Sequence, residues 1–450
     1  MRDDLAPFAS ALILMAGLSP AARAQTRPDA DWVHRSALYE VFVQDFSPSG
    51  DFKGVTAGLD RIHSTGATVI WIMPVNPIGV AGHKGTLGSP YASRDFRSIN
   101  PALGTAADFK ALVAAAHARG LRVILDWVPD HTSPDNPWIR QHPDWYFKND
   151  SGKPSVPRDP EGKLTDWTDV RQLDYKQPGL RKEMIATMQW WLTEYDLDGL
   201  RVDVAGFMPY DFWSEAITAL RKGTPRPLLF LAEWQDPLIH HSGFDLTYAW
   251  DSYDRLKAVW KGGPASTFVK AEIPDLAKLP ANGQRMRFTT NHDKTAWDDP
   301  PVMIFGQGAG ARAAFIAAAL LPGRPLLYNG QEVESRQKLG LFERELIKWD
   351  QPKGDEARAF YAKVIALTRT EPSLIAGGLD TIGVTSAKDV IAYRRGDLVV
   401  LVNARATPVK VTVKGVTIDG APDLLTNQRQ KGASVGLEAF GTRVFRVAKP

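Results

Sequence analysis

Four apolar runs in this chain end on acids, histidines or an arginine. They are Asp126-Trp127-Val128-Pro129-Asp130-His131, Gly199-Leu200-Arg201-Val202-Asp203, Leu231-Ala232-Glu233 and Thr290-Asn291-His292-Asp293. A charged side chain closing an apolar strand is costly unless it is paired or at work. One alone is accounted for by a rim salt bridge; four sets at one rim are not. The residue types suit cleavage of a glycosidic bond. That reaction needs an acid to protonate the leaving oxygen and a carboxylate to attack or stabilise an oxocarbenium-like centre. Asp203 and Glu233 are the candidate pair, expected near the ~5 Å spacing of retaining enzymes. Arg201 sits two residues before Asp203, on the same side of a strand, and is expected to hold Asp203 ionised as a nucleophile must be. Glu233 needs a raised pKa, to which Leu231 and Trp234 offer apolar surroundings. Asp293 can bind sugar hydroxyls. His131 and His292 can donate hydrogen bonds to hydroxyls that tighten in the transition state.

These residues need elements that bring them to one place. Eight strand candidates alternate with helical patterns, over residues 37–43, 67–74, 122–129, 199–205, 228–234, 246–250, 285–291 and 325–331. Unbroken apolar runs such as Val123-Ile124-Leu125 read as parallel strands buried on both faces. Helical periods cover 106–119, 178–195 and 309–321. Eight such repeats predict an α/β fold, a (β/α)8 TIM barrel over 31–370, with the chemistry at the C-terminal ends of its strands. The stretch 131–172 has no helical period and is rich in Pro, Gly, Asp and Trp. It reads as an inserted domain after the third strand. From 373 to 450 the pattern becomes short strands at 390–394, 398–402, 409–413 and 443–447, a C-terminal antiparallel β-sandwich domain.

With 450 residues, 44% of them hydrophobic and 23% charged, the chain can bury a large core. Its formal net charge of +3, without basic runs, gives no reason to expect nucleic acid or an anionic membrane as partner. Residues 8–18 are apolar and precede Ala22-Arg23-Ala24, so 1–24 reads as a signal peptide cleaved after Ala24. Export with 0 Cys suits a periplasmic or secreted bacterial protein. Of the 14 Trp, Trp145, Trp167, Trp234 and Trp297 fall on the loops above the barrel, where indole faces can stack on sugar rings. The loop pair His240-His241 is a further sugar-reaching candidate. Gln331-Glu332 reads as fold support.

The four segments resemble, in order, the four short conserved regions of the α-amylase family (glycoside hydrolase family 13 type). Gly88-Ser89-Pro90-Tyr91 resembles the family stretch whose Tyr stacks on the sugar at the cleavage site. The resemblance covers most of 35–370, with 131–170 as domain B and the last residues as the C-terminal β-domain. It implies Asp203 as nucleophile, Glu233 as general acid/base and Asp293 as transition-state stabiliser, with Tyr91, His131, Arg201 and His292 binding substrate. Asp126 is then structural. The expected activity is retaining hydrolysis of α-1,4 bonds in maltooligosaccharides and starch-type α-glucans. Exo-acting α-glucosidase, α-1,6-glucosidase and glucosyltransferase are the alternatives within the family. No cofactor is expected to be required. Calcium is the weaker expectation, because the family's Asn and His ligand positions hold Asp130 and Phe207, and Phe207 has only a carbonyl to give. The Lys-His of typical endo-amylases after the nucleophile is absent from Val204-Ala205-Gly206-Phe207-Met208. Two rivals stand outside the family reading. A metal-dependent barrel hydrolase would use the same acids and histidines as ligands, against which Arg201 would repel a cation. A non-catalytic glycan-binding protein would be expected to lack one of the three carboxylates. The sequence does not address oligomeric state.

Overall fold

The structure is a computed structural model, and it describes residues 31–448. The leader expected over 1–24 lies outside the described residues. Among them, no helix is long and apolar enough to cross a membrane.

Eight parallel strands close into a barrel: β1 Leu38–Val41, β2 Val69–Ile72, β3 Arg122–Trp127, β4 Gly199–Val202, β5 Leu229–Ala232, β6 Leu246–Tyr248, β7 Gln284–Arg287 and β8 Arg324–Tyr328. Each strand pairs with its sequence neighbour, and β8 returns to β1 with Leu38 opposite Leu326. Every strand predicted for the barrel is present, shorter than its apolar run. The run continues past the last ladder hydrogen bond and carries the polar residues up onto the rim. Gly199 opens β4 with φ 155°, and a Cβ there would lie 1.9 Å from the Leu229 carbonyl oxygen. The β4–β5 contact therefore admits only glycine at this point.

Helices wrap the barrel, among them Ala106–His117, Pro178–Glu194, Tyr210–Gly223, Gly354–Thr370 and the almost wholly buried Gln307–Ala319. Ala106–His117 starts on a capping box, in which Thr105 and Asp108 each satisfy the other's backbone N–H. Between β3 and β4 the chain makes its long excursion over the C-terminal rim. A two-residue ladder of His131–Thr132 with Arg171–Gln172 ties its two ends together. One short helix, Trp138–Gln141, interrupts what the sequence suggested was structureless.

Beyond the last barrel helix lie β9 Asp380–Thr381, β10 Val390–Arg395, β11 Leu398–Asn403, β12 Val409–Thr412, β13 Ser434–Leu437 and β14 Thr442–Arg446. They form a four-stranded antiparallel sheet, β9-β10-β11-β14, and a two-stranded ladder, β12-β13. Ile391, Tyr393, Val400, Val402 and Val444 face the main core. Val390, Ala392, Val399, Leu401 and Phe445 join a second core with Val411, Val435 and Leu437. Burial on both faces explains why β11 reads as an uninterrupted apolar run. The Tyr393 hydroxyl and the Arg395 guanidinium donate to carbonyls of Ile316, Ala317 and Leu320, seating this sheet on the barrel.

Candidate active site

A cavity of about 250 Å³ opens at the C-terminal end of the barrel. Asp203 and Val204 reach it from the end of β4, Glu233 from β5, and His292 and Asp293 from the segment after β7. Tyr91, from the β2–β3 connection, and His131, from the excursion, complete the set. All six cavity-lining candidates, Tyr91, His131, Asp203, Glu233, His292 and Asp293, are therefore gathered in one place. Arg201, the seventh candidate, lies beneath them with its side chain fully buried.

Arg201 organises the floor. Its Nη1 donates to Asp126 Oδ1 at 2.8 Å and to Asp203 Oδ1 at 2.9 Å. Its Nε donates to the Tyr248 hydroxyl at 3.1 Å. Nη2 lies 3.0 Å from Glu233 Oε2, although misaligned for a hydrogen bond. The guanidinium carbon stands 4.9 Å from the Trp71 ring, a sheltered cation–π contact. Asp126 is held from its other oxygen by Trp71 Nε1 at 3.1 Å and by the Tyr91 hydroxyl at 3.0 Å. It never reaches the cavity, which agrees with a structural role.

Glu233 is positioned by backbone. The N–H of Val204 donates to its Oε2 at 2.9 Å. Val204 does so from φ 37°, ψ 46°, a left-handed conformation that a β-branched residue rarely adopts. Trp234 then turns away from the cavity and packs on Gly206, where a Cβ would stand 2.0 Å from its indole. His292 stacks on Tyr91 with ring centroids 5.4 Å apart and exchanges a 2.8 Å hydrogen bond with its hydroxyl. Its Nδ1 meets the buried carboxyl of Glu40, in the middle of β1. Asp293 is the most open of the acids, with 32% of its side chain exposed.

Five carboxyls crowd this site: Glu40, Asp126, Asp203, Glu233 and Asp293. Two cations, Arg201 and His292, face them. Burial lowers His292, but the charges of Asp293 and then Glu40 outweigh it and raise its pKa to about 9. Burial and the mutual repulsion of neighbouring carboxyls both disfavour ionisation here. Burial raises Glu233, opposed chiefly by Arg201. Burial raises Asp203 further, helped by the charge of Glu233 and by a hydrogen bond between the two carboxyls. The sequence expectation is that Arg201 holds Asp203 ionised; in the structure burial opposes it. Arg201 does lower Asp203, but its charge is divided among three carboxylates and burial outweighs it. Both members of the pair are therefore harder to ionise than a free carboxyl.

Other expectations divide. Trp167 and Trp297 line the cavity, whereas Trp234 lines a neighbouring open groove. Trp145 is not a platform: it is buried against Trp138 and stacked on His142 at 3.8 Å. His240 does not reach the cavity. Its ring is buried, both nitrogens are engaged by Phe244 O and Thr247 Oγ1, and burial lowers its pKa to about 4. Glu332 accepts from the Tyr39 hydroxyl at 2.6 Å inside the barrel, in line with fold support. At the two positions where the family holds calcium, the side chains are engaged with protein partners. Asp130 gives one oxygen to Gln172 Nε2 and the other to His131 Nδ1, and Phe207 lies parallel to Trp167. Among the described residues, no three His, Asp or Glu side chains converge as metal ligands would.

The groove beside the cavity is larger, about 680 Å³, and holds none of the paired carboxylates. Gly206–Tyr210 and Trp234–Asp236, the chain just beyond Val204 and Glu233, form most of it, with Trp250 and Pro160. Sequence reasoning missed Glu40, Tyr248, Lys84, Asp169, Leu341 and Phe342. Glu40 left a trace, an acid inside the apolar run Leu38-Tyr39-Glu40-Val41. The last four left none, because their partners are distant in sequence.

A model of the α-amylase catalytic domain matches residues 21–261 of this chain. The chain belongs to the α-amylase family. Its fold matches solved family structures. An α-amylase from Lactobacillus plantarum aligns with TM-score 0.81 and 30% identity over 92% of this chain and 99% of that one. A noncanonic maltogenic α-amylase, AmyB from Thermotoga neapolitana, aligns with TM-score 0.79 and 27% identity over the same shares. The α-amylase MalA of Haloarcula japonica is 29% identical over 90% of this chain and 60% of its own length. An α-1,4-glucan:maltose-1-phosphate maltosyltransferase of Bifidobacterium longum is 27% identical over 81% of this chain and 49% of its own. The chain thus spans three fifths or less of these two curated relatives. Hydrolases and glycosyl transferases both stand among the family members it resembles.

Proposed function

We infer that this α-amylase family enzyme cleaves α-1,4-glucosidic bonds of maltooligosaccharides and related α-glucans with retention of anomeric configuration. The observation that carries the reading is the shared grip of Arg201 on Asp203 and Glu233, 2.9 and 3.0 Å from its two terminal nitrogens. A pair that shares one guanidinium fits the ~5–5.5 Å spacing of retaining enzymes better than the ~6.5–9.5 Å that leaves room for an inverting enzyme's water.

Substrate would enter with its glycosidic oxygen at Glu233 and its anomeric carbon above Asp203. Glu233, whose pKa burial raises, would carry the proton that the leaving oxygen receives. An Asp203 oxygen attacks the anomeric carbon, the glycosidic C–O bond breaks, and Glu233 gives its proton to the departing oxygen. The product is a glycosyl ester of Asp203. Glu233, now ionised, takes a proton from an incoming hydroxyl, which attacks the same carbon and releases Asp203. Arg201 carries no proton in this cycle. It stabilises whichever carboxylate is charged. Asp293 and the protonated His292 would hold hydroxyls of the sugar, with His131 opposite, and Tyr91 would supply a ring face. No step requires calcium.

A fluorinated α-glucosyl fluoride tests the assignment, since its first step outruns its second and the ester accumulates. Mass spectrometry of the digested enzyme is expected to find the adduct on the peptide containing Asp203. An adduct on Glu233 or Asp293 would overturn the assignment of Asp203 as nucleophile.

The incoming hydroxyl need not be water. The groove beyond Glu233 is lined by Phe207, Tyr210, Trp234 and Trp250, surfaces suited to a second sugar ring. That lining favours transfer to a sugar acceptor as a second reading. Addition of maltose to a maltoheptaose digest is expected to yield chains longer than the substrate if it holds.

A further inference from the structure

The two sides of the cleft are built unequally. The connections after β4, β5 and β6, with Pro160 of the excursion, form the open groove. These three strands are neighbours in the barrel, and β8, β1 and β2 are neighbours on the opposite arc. Across that second arc three segments meet and lock. Lys84, after β2, places its Nζ 2.9 Å from Asp169 Oδ1 in the excursion after β3. The same ammonium lies 5.8 Å from the centre of the Phe342 ring, after β8. All three residues line the catalytic cavity.

This is not a loose surface pair. Only 6% of the Asp169 side chain and 30% of that of Lys84 are exposed. Its flanks are pinned as well. A Cβ on Gly82 would stand 3.2 Å from Asp169 Cα, so the segment lies directly on the excursion. Leu87 N–H donates to Phe342 O at 2.9 Å, and Thr86 N–H donates to Glu343 Oε1 at 3.1 Å. Arg344 in turn donates to Gln44 O at 3.1 Å, anchoring the segment to the end of β1. A polymer threading through the cleft would have to part these contacts. Nor is there space to coil inside: about 250 Å³ lies below the ~300–1,000 Å³ of ordinary ligand pockets.

We propose that the Lys84–Asp169 pair, backed by Phe342, bars the glycone side of the cleft, so that the enzyme cuts from the non-reducing ends of α-glucans and not within them. The inference rests on the retaining α-glucanase reading above. The glycone, whose anomeric carbon Asp203 attacks, occupies the closed cavity, and the rest of the chain lies out along the groove past Glu233.

The test compares maltoheptaose with maltoheptaose whose non-reducing-end hydroxyls are capped by a benzylidene acetal. The wild-type enzyme is expected to turn over the free chain at least ~100-fold faster in kcat/KM, the discrimination a closed pocket can impose. Lys84→Ala is expected to narrow that ratio by about tenfold, because it unties the bar. Asp169→Asn removes the same ion pair while keeping the side chain's shape, and is expected to narrow the ratio in the same direction. Equal turnover of both substrates by the wild type overturns the bar and leaves the retaining α-glucanase reading intact. Turnover of neither substrate overturns both. A ratio unchanged in both variants assigns end-selectivity to some other part of the wall and removes the pair from it.

Discussion

Val204 donates its backbone N–H to Glu233 Oε2 at 2.9 Å while holding a left-handed conformation at φ 37°. The residue directly after the proposed nucleophile thus sets the position of the proposed acid. One strained peptide couples the two carboxyls whose separation decides the stereochemistry. Such strain persists only where surrounding structure over-determines it, and it collects at working sites.

The strain predicts a stability change. Val204→Asn keeps the N–H and suits the left-handed region, so it is expected to raise stability by about 1 kcal/mol. The urea unfolding midpoint measures this. A lowered midpoint would show that Val204 is not strained, or that its packing is worth more than its backbone costs.

Glu233→Gln removes the acid and keeps the shape. Hydrolysis of maltooligosaccharides is expected to fall by ~10²–10⁴-fold. Ester formation from an α-glucosyl fluoride is expected to fall far less, because fluoride leaves without a proton. A comparable loss on both substrates would mean that Glu233 positions substrate and does not protonate it.

Arg201 is the charge on which three carboxyls depend. Arg201→Met leaves Asp126, Asp203 and Glu233 without the guanidinium they share. Removing one partner of such a buried cluster is expected to cost ~3–5 kcal/mol at neutral pH. Lowering the pH protonates the carboxyls and should recover part of the loss. A stability deficit that stays the same at every pH would place the role of Arg201 in packing alone.

His292 gives a pH dependence of known sign. Its folded pKa of about 9 exceeds the ordinary histidine value. A group raised on folding stabilises fully below its unfolded pKa, and that contribution is lost as pH rises through the folded one. The wild type is therefore expected to lose on the order of 3 kcal/mol between about pH 6.5 and pH 9 that His292→Gln does not lose. Urea midpoints of the two proteins across that window check it. Parallel curves would show that His292 is neutral in the folded chain.

Much of the architecture can be read from the residues. Apolar runs of strand length, each followed by a helical period, leave the chain little choice but a barrel. Asp203, Glu233 and Asp293 announce themselves as charges that an apolar strand would not carry idly. Glu40 is a charge of the same kind, and only the fold shows that it faces His292 from the opposite end of the sequence. The closing wall is silent in sequence. Thr86 and Glu343 are joined across 257 positions, and a surface Lys, Asp or Phe carries no local signal of such a partner. The electrostatics of the floor are hidden for the same reason. Arg201 beside Asp203 in the strand suggests one ion pair, while packing gives that arginine three acids to serve.

Retention itself is read from the anomeric form of the first product. Proton NMR during the opening minutes of maltoheptaose cleavage, before mutarotation blurs the signal, reports it. Double displacement at Asp203 predicts new reducing ends in the α form, absent when Glu233→Gln replaces the wild type. New ends in the β form would contradict it, because inversion requires a water between two carboxyls that here share one guanidinium.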